Sequence, residues 1–202
     1  MSRKTLVYVV DDEPEIRETL RNVFEFSGFE VQCFADANAF LGSTIRSINS
    51  CIVLDLRLPE MSGLELQSRL RQLDLNLPIV IYTGNADVGT TVKALGDGAF
   101  TLLQKPASND ELIKTVKNAV EHSDKENTQR VQIENAHEHL RSLSDREREI
   151  AELLADGYRA AEVAQSLTIS ARTVETHRTH IFRKLNIKSV ATLAKLVVLS
   201  DL

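Results

Sequence analysis

The chain contains no run of apolar residues long enough to span a bilayer. Its opening, Met1-Ser2-Arg3-Lys4-Thr5, lacks the apolar stretch of a secretion signal. Cysteine is scarce, with Cys33 and Cys51 standing far apart and without metal-ligand spacing. Both fall in apolar, strand-like runs, so they read as buried free thiols in a reducing compartment, and the expected location is the cytoplasm. Internal repeats and low-complexity tracts are absent. No function that depends on a transmembrane helix, a disulfide scaffold or a thiolate metal site fits these gaps.

What the chain does have is ordinary globular content, 43% hydrophobic and 26% charged. Its net charge of −5 is unevenly spread. Residues 1–121 carry 12 Lys and Arg against 17 Asp and Glu, whereas residues 170–202 carry 6 against 2. An acidic domain followed by a basic stretch suits a C-terminal module that faces nucleic acid.

In the first half, short apolar runs alternate with amphipathic stretches. Four runs end at residues fit for phosphoryl chemistry: Leu6–Val10 at Asp11-Asp12, Cys51–Leu54 at Asp55, Ile79–Tyr82 at Thr83, and Phe100–Gln104 at Lys105-Pro106. Helices are expected over Pro14–Ser27, Ser62–Gln72, Asp87–Gly96 and Asn109–Glu121. Pro14 suits a first helical turn, and Ser62-x-x-Glu65 and Ser108-x-x-Glu111 have the spacing of capping boxes. The strands show little apolar–polar alternation, as expected where both faces are covered. Strand and helix repeated five times give an α/β fold, a flavodoxin-like doubly wound five-stranded parallel sheet. Ligands bind such sheets outside the carboxyl ends of the strands, where these four chemistries would collect.

Residues 122–130 contain no apolar side chain, and the segment either extends the preceding helix or forms a flexible tether. Beyond it no strand pattern appears. Ser144-x-x-Glu147 opens a helix through Ala155 that Gly157 can stop. Short and long helices follow over Ala160–Leu167 and from Ala171 to about Leu185, joined by Thr168-Ile169-Ser170, with a last helix from Ser189 to about Leu199. The second domain is thus a small all-α helix-turn-helix unit. The expected division is 1–121, a linker at 122–139, and 140–202.

Asp11, Asp12 and Asp55 at neighbouring strand ends would repel one another unless a cation neutralised them. Mg²⁺ fits, because it prefers oxygen ligands and is held by one or two carboxylates plus phosphate oxygens. Asp55, alone at its strand end between Leu54 and Leu56, is the natural nucleophile toward a phosphoryl donor. Lys105 would neutralise phosphoryl oxygens and Thr83 could donate a hydrogen bond to them.

With these residues in place, 5–121 resembles the receiver domain of bacterial two-component response regulators. Val9-Val10-Asp11-Asp12-Glu13, the loop Asp55-Leu56-Arg57-Leu58-Pro59-Glu60-Met61-Ser62-Gly63, Thr83-Gly84 and Lys105-Pro106 carry the likeness. It implies that Asp55 accepts a phosphoryl group from a sensor histidine kinase. It also implies that Asp12, Asp55 and the backbone carbonyl of Arg57 hold Mg²⁺, with Asp11 acting partly through water. Two positions depart from the family: Leu102 stands where Phe or Tyr is usual, and Ala107 follows Pro106 where a large apolar residue is usual. Both bear on the relay from Thr83 to the surface rather than on the phosphorylation chemistry.

In the helix from Ala171, the apolar Val174, Ile181 and Leu185 face one way, and the opposite face is expected to offer Arg172, Glu175, Thr176, Arg178, Thr179, Arg183 and Lys184. Recognition helices present such residues to the major groove. Ser170 can cap the helix start. His177 and His180, without a carboxylate or cysteine partner, do not make a metal site. Leu143 to Ile150, Thr173 to Arg178, and Ile181 to Leu185 are similar to the LuxR-type DNA-binding domain, so the whole chain resembles the FixJ/NarL family of response regulators. The DNA-facing set is then Arg172, Thr173, Glu175, Thr176, Arg178, Thr179, Arg183 and Lys184. Arg159-Ala160-Ala161 departs from the family's usual Ser-Asn-Lys, which leaves Arg159 to supply any phosphate contact there.

The expected function is a phosphorylation-dependent transcriptional regulator, not an enzyme. Its implied partners are a sensor histidine kinase, promoter DNA, RNA polymerase and, on phosphorylation, a second copy of the chain; no membrane is involved. Moving a two-state switch from mostly off to mostly on takes about 5.5 kcal/mol of differential stabilisation. Three other readings compete. A Mg²⁺-dependent aspartyl phosphatase would need a second acid two residues after Asp55, where Arg57 stands. A flavin-binding domain would place Asp11-Asp12-Glu13 against a phosphate, which they repel. A constitutive DNA-binding regulator with an idle receiver draws on Leu102 alone.

Overall fold

Side chains alternate between the two faces along a strand, and in the centre of this sheet both faces are apolar. In β1 (Leu6–Val10), β3 (Ser50–Leu54) and β4 (Ile79–Thr83) every residue is buried. Leu6, Tyr8, Val10, Ile52, Leu54, Ile79 and Ile81 point into one core layer. Val7, Val9, Cys51, Val53, Val80 and Tyr82 point into the other. Fully burying a Val, Leu or Ile side chain contributes about 1.5–3 kcal/mol, so register errors here are strongly disfavoured. The edge strands β2 (Glu30–Phe34) and β5 (Thr101–Gln104) differ, since each exposes part of its length. The expectation of strands covered on both faces therefore holds for the three inner strands and not for the edges.

This computed structural model describes residues 4–84 and 87–200; Met1, Ser2 and Arg3 of the opening segment lie outside the described residues. The five strands are parallel and ordered β2-β1-β3-β4-β5. Helices α1 (Pro14–Phe26), α2 (Ala37–Leu41), α3 (Gly63–Gln72) and α4 (Val88–Gly96) connect them, and α5 (Asn109–Arg141) follows β5. One core layer lies between the sheet and α2, α3 and α4, the other between the sheet and α1 and α5. The Ser62 side chain caps α3 and Glu65 returns the bond to the Ser62 amide, a complete capping box. At α5, Ser108 Oγ accepts from the Glu111 amide at 3.2 Å. Helix α5 runs on to Arg141 without a break.

The chain divides into two compact units, residues 1–126 and 127–202. In the second, α6 (Asp145–Ala155), α7 (Ala160–Ser166), α8 (Ala171–Lys184) and α9 (Val190–Ser200) enclose their own core of Ile150, Leu154, Val163, Val174, Ile181, Leu185 and Leu193. Ser144 and Glu147 form a second complete capping box at α6. Thr168, with φ of 54°, and Ser170, whose hydroxyl accepts from the Thr173 amide, turn the chain between α7 and α8. No helix among the described residues is long and apolar enough to cross a membrane.

Candidate functional site

Strand register brings the acidic residues together. Val10 pairs with Leu54 across β1 and β3, so Asp11 and Asp55 leave the sheet side by side; the Asp55 amide donates to Val10 O at 2.9 Å. Thr83 pairs with Gln104, and the Lys105 amide donates to Thr83 O at 2.9 Å. Asp11, Asp55 and Thr83 are all buried, a costly placement for two ionisable carboxyls and a hydroxyl.

Lys105 is the counter-charge. Its Nζ lies 2.7 Å from Asp11 Oδ2, 2.7 Å from Asp55 Oδ2 and 3.2 Å from Glu13 Oε1. The remaining carboxylate oxygens are also engaged: Asp11 Oδ1 accepts from the Glu13 amide at 2.9 Å, and Asp55 Oδ1 from the Arg57 amide at 3.1 Å. Burial raises the Asp11 pKa, against the opposing pull of its bonds to Lys105 and Glu13. For Lys105, burial works to lower the pKa, but the bonds and charges of Asp11 and Asp55 outweigh it and hold the ammonium well above its ordinary range.

Carboxylate oxygens of Asp11, Asp12 and Asp55 lie within 4.8 Å of one another, with Asp12 exposed at the mouth. Lys105 contacts two of these carboxylates and Glu13, and the Arg17 guanidinium donates to the Asp11 main-chain oxygen at 2.7 Å. An all-oxygen donor set of this kind suits a hard divalent cation. Of the residues expected at this site, Asp11, Asp12, Asp55 and Lys105 are brought together directly. Thr83 sits at the adjoining strand end, and Arg57 is exposed in the loop after Asp55.

Two residues of this pocket carried no assignment from sequence. Glu13 is a third carboxylate on Lys105. Gly63 lets α3 start against the acceptor loop: its amide donates to Leu56 O at 3.0 Å, and a Cβ there would stand 2.9 Å from Leu56 Cα and closer still to the Asp55 carbonyl oxygen. The Ser-x-x-Glu box beginning one residue earlier is the only sequence signal of that close approach. Leu102 is partly buried against the core layer beneath α3 and α4.

The second candidate surface is α8. Val174 and Ile181 are buried, as is Leu185 just past its end. At 100° per residue, Arg172, Thr176, Thr179 and Arg183 lie opposite them, and all four are exposed. The side chains of Arg172 and Arg183 make no ion pair or hydrogen bond among the described residues. Glu175 and Arg178 lie on one flank and are paired at 3.4 Å, and the Arg178 guanidinium sits 5.3 Å from the Phe182 ring centre. Thr173 joins the Ser170 cap, its Oγ1 2.8 Å from Ser170 Oγ.

Lys184, expected among the DNA-facing residues, is exposed and also has a partner within the domain. Its Nζ lies 2.6 Å from Glu147 Oε2, and Glu147 is buried. The bond to Lys184, followed by the Ser144 amide, holds the Glu147 carboxyl down at about 2. Lys184 thereby ties α8 to the start of α6, and its position near the flank of the helix explains why it is engaged in the domain's own structure. Arg159 is exposed at the start of α7, where its amide donates to Glu162 Oε2 at 2.6 Å.

Residues 7–117 match the family described as the response regulator receiver domain. Residues 141–197 match the family described as bacterial regulatory proteins, luxR family. Nodulation protein W of Bradyrhizobium diazoefficiens is 36% identical over 195 residues, covering 96% of this chain and 86% of that protein. Transcriptional regulatory protein FixJ of Rhizobium meliloti is 33% identical over 192 residues, covering 95% and 94%. Among solved structures, response regulator StyR is similar with a TM-score of 0.83 at 35% identity, covering 97% of this chain and 99% of that one. With a receiver fold carrying a carboxylate pocket and a helical unit presenting α8, the chain belongs to the response regulators that join a receiver to a luxR-type DNA-binding domain, and it is a transcriptional regulator of the FixJ kind.

Proposed function

We propose that Asp55 is the phospho-acceptor and that its phosphorylation controls DNA binding by the C-terminal domain. The observation that carries this is Lys105 Nζ bridging the Asp11 and Asp55 carboxylates at 2.7 Å each. A carboxylate oxygen of Asp55 attacks the phosphorus of a kinase phosphohistidine; the P–O bond forms as the P–N bond breaks. Asp11, Asp12, Asp55 and the Arg57 carbonyl hold Mg²⁺, which when bound screens the negative charge on the incoming phosphoryl oxygens. Lys105 exchanges its contact with Asp55 for the phosphoryl group, and the Thr83 hydroxyl donates to it. Residues 1–121 form the receiver, 122–139 the linker and 140–202 the DNA-binding domain. The charged ensemble stabilises a second receiver conformation that dimerises, so that two copies of α8 engage two half-sites in a promoter. RNA polymerase is the downstream partner, in the cytoplasm. Arg57 in place of a second acid keeps turnover to slow autodephosphorylation.

The test is phosphorylation of the full chain by acetyl phosphate with Mg²⁺, read by intact mass. The wild type should gain one phosphoryl group and Asp55→Asn none, while Asp12→Asn should slow the gain. Equal labelling of wild type and Asp55→Asn would overturn the assignment.

A further inference from the structure

On the outward stripe of α8, both threonine hydroxyls already direct their proton to a carbonyl of the helix itself. Thr176 Oγ1 donates to Arg172 O at 2.9 Å, and Thr179 Oγ1 donates to Glu175 O at 2.9 Å. A hydroxyl has one proton to donate and two acceptor lone pairs. Bonded back to the helix, each threonine therefore offers its surroundings only an acceptor oxygen and a methyl group.

The major-groove edges of the bases differ in what they can return to such a side chain. A guanine edge carries acceptors at N7 and O6 and has no donor for the threonine oxygen. An A·T pair offers both complements at once: the adenine N6 amine donates and the thymine C5 methyl packs on a methyl. Cytosine offers its N4 donor without a methyl. Thr176 and Thr179 are three residues apart, about 4.5 Å along the helix, while base pairs repeat every 3.4 Å or so along each strand. The two threonines can thus address neighbouring pairs. Arg172 and Arg183, donors only, lie on the same stripe to either side.

We propose that Thr176 and Thr179 are the specificity-determining residues of this regulator and that they select A·T over G·C at two neighbouring base pairs in each half-site. The selection works through an acceptor oxygen and a methyl group, not through hydroxyl donation. This rests on the DNA-binding role of α8 proposed above and adds to it what sequence that helix prefers.

The experiment is selection of a randomised DNA duplex library by the full chain, treated with acetyl phosphate and Mg²⁺, followed by binding to the enriched duplex with and without chosen atoms. Enriched duplexes should share A·T pairs at two neighbouring positions. Replacing their thymines by uracil removes only the methyl and should weaken wild-type binding about fourfold per buried methyl. The same replacement should have no effect on a Thr176→Ser, Thr179→Ser double variant, which keeps both hydroxyls and lacks both methyls. Enriched duplexes with G·C at the positions that Thr176→Ser and Thr179→Ser relax, or wild-type affinity indifferent to uracil, would overturn the inference while leaving DNA binding intact. Failure of the treated protein to retain any duplex would instead overturn the DNA-binding reading on which it rests.

Discussion

Lys105→Met removes one positive charge from the acceptor pocket while keeping a side chain of similar length. In the wild type the Lys105 side chain is 11% exposed and sits 2.7 Å from carboxylates whose side chains are 2% and 6% exposed. Breaking a buried ion pair by removing one partner costs about 3–5 kcal/mol, because a buried charge loses its compensation. Here the pocket opens to water at Asp12 and Glu13, and Asp11 can take up a proton. We therefore expect a loss of about 2–3 kcal/mol at neutral pH in EDTA. The pH dependence distinguishes charge from packing. In the variant, Asp11, whose pKa burial already raises, loses the opposing pull of Lys105 and rises further above its unfolded value. The folded state then binds more protons than the unfolded one, so stability falls as pH rises through the window from about 4 upward. Acidifying toward pH 5 should recover much of the loss, and so should millimolar Mg²⁺ at neutral pH, by binding the folded state alone. In the wild type the sign is the same but the window lies far higher: the raised Lys105 pKa contributes stability that is complete below the ordinary lysine range and is lost only as pH rises above it. Urea unfolding at pH 5 and pH 7.5, with and without Mg²⁺, reads all of this. A loss of the same size under all four conditions would refute the electrostatic account and leave only lost side-chain packing.

Gly63→Ala should cost about 1–3 kcal/mol, as overpacking does, and slow phosphorylation by acetyl phosphate, since the new Cβ meets the main chain of Asp55 and Leu56; an unchanged rate in a stopped time course would contradict it. Glu147 has a folded pKa of about 2 against an ordinary 4.5, so its contribution is present above the unfolded value and lost as pH falls from about 5 toward 2. Because the Lys184 side chain is 41% exposed, screening reduces that contribution to about 1–2 kcal/mol. Glu147→Gln should lose it at pH 7 and flatten the acid limb of the helical unit's stability curve; parallel acid limbs in the two proteins would count against the ion pair. Arg183→Ala should lower the slope of log affinity against log salt by about 1 if Arg183 contacts a phosphate, whereas Lys184→Met should leave that slope unchanged while lowering thermal stability.

Much of the receiver was legible because its chemistry sits where strands stop. Asp11, Asp55, Thr83 and Lys105 each interrupt an apolar run, and parallel topology carries every such interruption to one edge of the sheet. Helix starts were legible for a local reason, since Ser62 with Glu65 and Ser144 with Glu147 contain both halves of their caps within four residues. What was hidden depended on distance in sequence. Lys184 looks like one more cation on a recognition helix until Glu147, 37 residues earlier, is brought to 2.6 Å. Glu13 resembles a helix-start acid until Lys105 reaches it from the far strand. The course of α5 through residues 122–130 was open for a different reason. That stretch has no apolar side chain to give a period, and its helix carries polar pairs such as His122 with Glu126 and Arg130 with Glu134, four residues apart. Edge exposure of β2 and β5 followed from strand order, which hydropathy alone does not rank.

The central claim is that phosphorylation of Asp55 governs the affinity of α8 for DNA. Its most direct test is the affinity of the full chain for an enriched duplex, measured for wild type and Asp55→Asn, each with and without acetyl phosphate. The account predicts tight binding in one sample only, the wild type with phosphodonor, and weak, equal binding in the other three. Equal affinity in all four would contradict it, leaving a DNA-binding protein whose receiver does not control it.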